Sequence, residues 1–181
     1  MTLSPNDQLR TANSLAALSL IVFDVDGTLT DGGLIFDSDG RETKRFHVRD
    51  GFAFTAAMSV GLKVGVISAR ESDVVTRRMK ELNVTLVMQG QRDKKIALET
   101  LCQQAGVMPE AAAYVGDDLL DLPALLSCGY GIAVADAAAE VKYAAGYVTA
   151  LPGGHGAARD AIEHILKAQG KWDAVVDQFG I

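Results

Sequence analysis

Residues 23–32 read FDVDGTLTDG and directly follow the apolar run LSLIV at residues 18–22. The apolar run predicts a buried β-strand that ends just before Gly27, where a turn begins. Three carboxylates, those of Asp24, Asp26 and Asp31, lie within eight positions at this strand end. Two unit charges about 4 Å apart repel by roughly 4 kcal/mol at an effective dielectric constant near 20. A cationic partner is therefore expected beside these side chains.

The composition is that of an ordinary globular protein. The chain has 181 residues, of which 49% are hydrophobic and 22% charged, and this length suits one domain with a substantial core. Its net charge of -6 argues against a general affinity for nucleic acid. We expect no signal peptide and no membrane span, because no apolar run approaches roughly 18 residues. Cys102 and Cys128 are too few for a disulfide framework, so reduced thiols and a cytoplasmic location are expected.

Short apolar runs alternate with longer helical patterns along the chain. This alternation predicts a parallel sheet covered on both faces, and therefore a doubly wound, Rossmann-like α/β fold. Residues 1–181 are expected to form one domain, with a core at 19–169 and a C-terminal tail at 170–181. Residues 33–48 break the alternation and predict a small β-hairpin after the first strand, with no large cap domain. The expected strands lie at 20–23, 63–67, 85–88, 112–115, 130–134 and 147–149, and the expected helices near 51–60, 72–82, 94–105, 119–126, 138–143 and 156–169.

Polar residues follow several of the predicted strands. Asp24, Ser68 and Asp117 come after apolar runs, and Lys94 lies a few residues beyond another. Ligands of open α/β sheets bind beyond the carboxyl ends of the strands, so these side chains are expected to meet in one crevice. An acid after a strand can instead cap the next helix, and Asp118 also fits that alternative.

The acids of this crevice form a set that suits a hard cation. Carboxylates with no Cys or His nearby in sequence favour Mg²⁺, which is typically held by one or two carboxylates, waters and a substrate phosphate. Such a metal converts a site that repels anions into one that accepts a phosphate dianion. The acids concerned are Asp24, Asp26, Asp117, Asp118 and Asp121.

Four short motifs resemble those of the haloacid dehalogenase superfamily and occur in the same order. DVDGT at residues 24–28 resembles the first motif, and Ser68 at the end of an apolar strand resembles the second. Lys94 resembles the third motif, and GDDLLD at residues 116–121 resembles the fourth. The resemblance implies a Mg²⁺-dependent phosphatase that works through an aspartyl phosphate.

The same resemblance implies a role for each motif residue. Asp24 would be the nucleophile, and Asp26 would protonate the leaving alcohol and then activate water. Ser68 would donate a hydrogen bond to the phosphoryl group, and Lys94, rather than the adjacent Lys95, would neutralise charge. The implied metal ligands are the side chains of Asp24 and Asp117 and the backbone carbonyl of Asp26, with Asp118 and Asp121 supporting them.

A finer resemblance, to phosphatases of acidic keto-sugar phosphates, covers most of the chain. It is carried by GRETKRFHVRDG at 40–51, QGQRDK at 89–94, YVGDDLLDLP at 114–123 and GGHGAARD at 153–160. An eight-carbon acidic sugar phosphate is the expected substrate. A nine-carbon keto-sugar acid phosphate and a broad range of sugar phosphates remain alternatives.

The pattern of those phosphatases also implies a substrate-binding set. Arg70 and Arg78 make independent chemical sense, because planar guanidinium groups bind a carboxylate bidentately. A surface charge on a helix is the alternative for Arg78. The implied substrate-binding residues are Asp26, His47, Val48, Arg49, Asp50, Gly51, Thr55, Arg70, Arg78 and Lys94.

The absence of a large cap bears on assembly and on rival functions. The resemblance implies a homotetramer in which hairpins share a hub and a neighbour covers each site, with residues 153–156 as an expected lid.

The main alternative of another class is a phosphorylatable receiver domain, which also carries acids, a Ser or Thr and a Lys. Its acidic pair precedes the phosphorylated Asp on an earlier strand, whereas here DVDGT lies on the first strand.

Overall fold

A computed structural model describes residues 15–180, which build a six-stranded parallel sheet. The predicted α/β fold is confirmed, and every expected strand is present to within one residue at each end. The strands are numbered in chain order, so the two short strands of the hairpin are β2 and β3. The sheet order is then β5-β4-β1-β6-β7-β8. Its strands are β1 (Leu20–Phe23), β4 (Lys63–Ile67), β5 (Leu86–Met88), β6 (Ala112–Gly116), β7 (Tyr130–Ala133) and β8 (Tyr147–Val148).

Helices connect these strands and pack in pairs. The first helix contacts the sixth and the third contacts the fourth. The helix expected at 119–126 is divided into a 3₁₀ turn at Leu119–Asp121 and an α-helix, because Asp118 caps the turn. No helix among residues 15–180 is long and apolar enough to cross a membrane. The α-helices are α1 (Val48–Ser59), α2 (Asp73–Glu81), α3 (Lys94–Ala105), α4 (Leu122–Ser127), α5 (Ala139–Ala144), α6 (Ala157–Ala168) and α7 (Trp172–Val176).

In this sheet β4 and β5 lie on one side of β1, and β6, β7 and β8 lie on the other. Phe23, the last residue of β1, pairs with Val66 on one side and Val115 on the other. The chain passes to opposite sides of β1 in the two halves of the sheet, and such a switch point forms a crevice at the carboxyl ends of the strands. Asp24 therefore lies at the position where this fold binds ligands.

The hairpin expected within residues 33–48 is present as two short antiparallel strands. They are β2 (Ile35–Phe36) and β3 (Glu42–Thr43), with Phe36 opposite Glu42. The Asp37 carboxylate accepts the N–H of Arg41 at 2.8 Å and closes the turn. The side chains of β2 point into solvent in the single chain.

The C-terminal segment differs from the expected tail. Residues 172–176 form α7, in which Val175 is buried. The indole of Trp172 lies 4.8 Å from the guanidinium carbon of Arg159 on α6. Burial of Val175 together with this cation–π contact, worth about 0.5–2 kcal/mol, holds the segment against the chain's own core.

Candidate active site

Four sequence-distant residues meet at the carboxyl edge of the sheet. Asp24 follows β1, and its N–H donates to the carbonyl of Val115 in β6 at 2.9 Å. Asp117 follows β6, and Lys94 opens α3 beyond β5. Asp121, shortly after Asp117, is the fourth of these residues. It lies 97 positions from Asp24 in the sequence.

A buried ammonium holds two of the acids. Lys94 Nζ bonds the Asp24 carboxylate and also lies 2.6 Å from Asp121 Oδ1. The side chains of all three residues are at most 7% exposed. Lys95 points to solvent, which agrees with the motif register that selects Lys94. Lys94 thus supplies one positive charge beside Asp24.

Asp121 is fixed by further donors. The hydroxyl of Tyr114 donates to Asp121 Oδ1 at 2.8 Å. The backbone N–H groups of Asp117 and Asp118 donate to Asp121 Oδ2 at 2.9 and 3.1 Å. With Lys94 this makes four donors on two oxygens, so Asp121 is suited to orient its neighbours rather than to bind a ligand.

Asp117 occupies space that Gly27 leaves free. A Cβ at Gly27, whose φ is +97°, would lie 2.1 Å from Asp117 Oδ2, so a side chain there would displace the carboxylate. The hydroxyl of Thr28 donates to Asp117 Oδ1 at 3.1 Å. The glycine of the first motif thus allows the carboxylate of the fourth motif to approach Asp24.

These carboxylates fit a divalent cation. One oxygen from each of Asp24, Asp117 and Asp121 lies within 4.8 Å of the others. When ionised, the three carboxylates carry three negative charges, and the ammonium of Lys94 offsets one of them. A divalent cation would balance the remaining two. Oxygen-only donors suit Mg²⁺, and the saturation of Asp121 leaves Asp24 and Asp117 to hold it.

The pKa shifts report the same excess of negative charge. Burial raises the pKa of Asp24 well above its usual range, and the nearby Asp121 raises it further. Burial and Asp121 raise the pKa of Asp117 to about 6. Burial lowers the pKa of Lys94, but the two adjacent carboxylates outweigh it and hold that pKa above its usual value. A bound cation would favour the ionised form of both aspartates.

Asp26 is held by a residue that the sequence analysis did not single out. Lys44, just beyond β3 of the hairpin, places Nζ against Asp26 Oδ1, and Glu42 Oε1 lies 3.2 Å from the same ammonium. Glu42 also accepts from Arg70 Nη2 at 3.0 Å and from the hydroxyl of Ser72. No local sequence pattern indicated Lys44, because its contact with Asp26 depends on how the hairpin folds back over the sheet.

Ser68 and Arg70 lie beside this network. Ser68 is buried directly after β4, and its Oγ accepts the N–H of Arg70 at 3.1 Å. Arg70 Nε is buried and has no hydrogen-bond partner among residues 15–180. The Arg70 side chain as a whole is 40% exposed, so other atoms of it face solvent.

Asp118 and the residues around the start of α1 lie outside the acid–ammonium cluster. Asp118 Oδ1 accepts the N–H of Leu119 at 2.8 Å, so Asp118 caps the 3₁₀ turn that follows it, as the alternative interpretation of this residue predicts. Asp50 Oδ1 accepts the N–H of Arg159 at 2.8 Å. His47 caps α1, and Thr55 donates to Phe52 in the same helix. Other predicted substrate residues without a described polar contact to the cluster are Val48, Arg49, Gly51 and Arg78.

The loop at 153–156, which is expected to form a lid over a neighbouring subunit's site, packs against this chain's own first motif. Gly154 N–H donates to the carbonyl of Thr28 at 3.1 Å, and Gly153 N–H donates to Asp136 Oδ1 at 2.9 Å. A Cβ at Gly153 would lie 1.7 Å from the carbonyl oxygen of Gly27. The two glycines permit this close backbone contact, so the loop supports the chain's own first motif.

Known proteins are similar to this chain in sequence and in fold. Residues 84–159 match the family model of haloacid dehalogenase-like hydrolases. The chain is 44% identical over 157 residues to the 3-deoxy-D-manno-octulosonate 8-phosphate phosphatase of Haemophilus influenzae, with 87% of each chain covered. It is 40% identical to the same-named protein of Escherichia coli K12, over 89% of this chain and 86% of that one.

Solved structures give the same result. One is 3-deoxy-D-manno-octulosonate 8-phosphate phosphatase from Moraxella catarrhalis, in complex with a magnesium ion, a phosphate ion and a KDO molecule. It has a TM-score of 0.91 and 39% identity, over 97% of this chain and 99% of that chain. The cobalt-bound protein of Haemophilus influenzae has a TM-score of 0.85 and 44% identity, with 87% and 92% covered.

The parallel sheet and the acidic cluster at its carboxyl edge define a haloacid dehalogenase-like hydrolase. Within this class, the two phosphatases named above are 44% and 40% identical to this chain over most of its length, which is enough to identify its family. The chain belongs to the 3-deoxy-D-manno-octulosonate 8-phosphate phosphatase family.

Proposed function

We propose that this chain is a Mg²⁺-dependent phosphomonoesterase that hydrolyses 3-deoxy-D-manno-octulosonate 8-phosphate to KDO and inorganic phosphate. The observation that carries the proposal is the convergence of Asp24, Asp117 and Lys94 at the switch point of the sheet. Mg²⁺, when bound, withdraws charge from the phosphoryl group and offsets the carboxylates. We further propose that the reaction serves lipopolysaccharide core synthesis in the cytoplasm, a location that the free thiols of Cys102 and Cys128 support.

The first half of the reaction transfers the phosphoryl group to the protein. An oxygen of Asp24 attacks phosphorus, and a new O–P bond forms as the bond from phosphorus to the sugar oxygen breaks. Protonated Asp26 gives its proton to that departing oxygen, so the sugar leaves as a neutral alcohol. Lys94, buried against Asp24, stays cationic and offsets charge on the phosphoryl oxygens.

The second half releases phosphate. Asp26, now ionised, takes a proton from water as the water oxygen attacks phosphorus, and the bond to Asp24 breaks. Ser68, buried beside the strand end, donates its hydroxyl hydrogen to the phosphoryl group in both halves. Asp121, and through its backbone Asp118, keep Lys94 and Asp117 in place.

We assign the sugar acid's carboxylate to the guanidinium of Arg70. Its buried Nε has no partner among the described residues, and its Nη2 is shared with Glu42. Because the side chain is 40% exposed, its remaining N–H groups can bind a substrate carboxylate while Nη2 keeps its contact to Glu42. The remaining implied contacts, from Arg78 and from residues 47–51 and 55 of the α1 region, complete the proposed sugar site.

A phosphate-release screen tests the proposed substrate. We expect the highest kcat/KM for the eight-carbon acidic sugar phosphate, lower values for a nine-carbon keto-sugar acid phosphate, and much lower values for neutral hexose phosphates. Chelation of Mg²⁺ should abolish release. Equal kcat/KM for acidic and neutral sugars would contradict the assignment of Arg70, and a stop after one phosphate per chain would indicate a receiver domain instead.

We propose that the chain works as a homotetramer built through its hairpins. Leu34, Ile35 and Phe36 are each 53–54% exposed in the single chain. Two strands of two residues cannot form a stable sheet alone, and exposed strand edges pair readily with another chain. Joining hairpins from several copies would bury this apolar patch and satisfy the strand edges.

Replacing Phe36 with aspartate is expected to convert the tetramer to smaller species. A buried carboxylate in the shared hub would lack a partner, and each unpaired buried charge is costly. Light scattering after gel filtration measures the mass directly. Tyr143→Asp is the matched control, because Tyr143 is a 93% exposed aromatic residue on α5 and not part of the hairpin. A monomeric wild-type chain, or an unchanged mass for Phe36→Asp, would contradict the proposal.

A further inference from the structure

The hairpin delivers a lysine to the general acid–base residue. Lys44 Nζ bonds Asp26 Oδ1, and it is the single hydrogen-bond partner of that carboxylate within residues 15–180. The Lys44 side chain is 1% exposed, whereas that of Asp26 is 21% exposed. The ammonium is therefore inside the site, while Asp26 keeps an open side toward the crevice.

Lys44 is itself held in a fixed place. Glu42 Oε1 lies 3.2 Å from its Nζ. Glu42 is in turn bound by Arg70 Nη2 at 3.0 Å and by the Ser72 hydroxyl, both of which follow β4. The contacts tie the second arm of the hairpin to the loop after Ser68, so the lysine cannot swing freely.

The contact bears on proton transfer because an aspartate side chain has two rotatable bonds. Asp26 lies in a turn after β1, and in the described structure only Lys44 constrains its carboxylate by a hydrogen bond. An acid must lie within hydrogen-bond reach of the oxygen that it protonates. Losing the constraint would let the carboxyl group rotate away from the leaving oxygen.

We propose that Lys44 is a positioning residue, which orients Asp26 so that the carboxyl group addresses the leaving alcohol. The inference rests on the proposed phosphatase function, in which Asp26 is the proton donor. The hairpin is then part of the catalytic apparatus as well as an assembly surface. Lys44 acts through Asp26 and forms no bond to the reacting atoms in this account.

Leaving-group dependence separates this role from a general structural one. In Lys44→Met, kcat/KM for the sugar phosphate should fall at least about tenfold, a part of the roughly 10²–10⁴-fold that a positioned proton donor contributes. For p-nitrophenyl phosphate it should fall by no more than about threefold, because the phenolate departs without a proton. The ratio kcat/KM reports the steps through departure of the alcohol and so excludes the later attack of water.

Three further variants complete the test. Lys44→Arg, which keeps the charge, should recover most of the lost kcat/KM, and Asp26→Asn should show the same contrast between substrates. Arg41→Met is the charge-matched control, because Arg41 is 77% exposed and pairs with Asp37 and Asp39 in the hairpin turn. Thermal unfolding of each variant checks that the fold persists.

The results distinguish failure of the proposed role of Lys44 from failure of the proposed phosphatase function. Equal losses of Lys44→Met on both substrates would show a phosphate-binding or structural role and overturn the positioning proposal, as would no loss on either. If wild-type protein releases no phosphate from the sugar substrate, the proposed function itself fails. If Asp26→Asn lacks the substrate contrast, Asp26 is not the proton donor, and the role of Lys44 falls with it.

Discussion

Replacing Asp24 with asparagine is expected to lower kcat for the sugar phosphate by at least about a thousandfold, the scale seen when a nucleophile is removed. The amide has nearly the same shape as the carboxylate but cannot form the acyl phosphate. Steady-state phosphate release at saturating Mg²⁺ measures the loss. The variant should remain folded, because an amide oxygen can still accept the hydrogen bond from Lys94.

Asp31→Asn is the matched control for this prediction. Asp31 belongs to the same acidic stretch, but its side chain is 36% exposed and pairs with Arg45 at 2.6 Å, outside the cluster. We expect kcat within about threefold of wild type, since exposed ion pairs contribute only about 0–1 kcal/mol. Comparable losses in the two variants would mean that negative charge near residues 23–32, and no particular nucleophile, supports turnover.

Replacing Lys94 with methionine is expected to damage both stability and activity. The substitution leaves Asp24 and Asp121 buried without their cation, and breaking a buried ion pair in this way costs about 3–5 kcal/mol. The pKa of Asp24, already raised by burial, would rise further once the ammonium is gone. A protonated Asp24 is a poor nucleophile, so kcat should also fall.

Urea unfolding in the absence of metal measures the stability loss. Lys95→Met is the control, because Lys95 is the next residue in α3 and is exposed; its free energy of unfolding should stay within about 0.5 kcal/mol of wild type. Adding Asp121→Asn to Lys94→Met should recover part of the loss by removing one unpaired charge. Equal stability of Lys94→Met and Lys95→Met would contradict the buried ion-pair network.

Local pattern was sufficient to predict the fold and the positions of the motif residues. The apolar strands at Leu20–Phe23 and Lys63–Ile67 match the expected bounds, because both runs are short, rich in β-branched residues and close to a glycine turn. Parallel pairing brings their carboxyl ends to one edge. Asp24 and Asp117 therefore meet as a consequence of topology, which the alternation of strands and helices predicts.

The contacts of the hairpin could not be predicted in this way. The pairing of Lys44 with Asp26 depends on how the hairpin folds back over the sheet, and spacing alone does not determine that direction. The close packing of Gly153 on Gly27 is likewise a contact between distant loops. The order of α7 depends on Arg159 meeting Trp172, which no local pattern indicates.

The central claim is that Asp24 carries the phosphoryl group during turnover. Acid quenching during turnover of substrate labelled at phosphorus, followed by digestion and mass spectrometry, tests it most directly. The account predicts one labelled peptide, the one containing Asp24, with no label in Asp24→Asn or when Mg²⁺ is chelated. Label on another residue, or steady turnover with no protein-bound label under any quench, would contradict it.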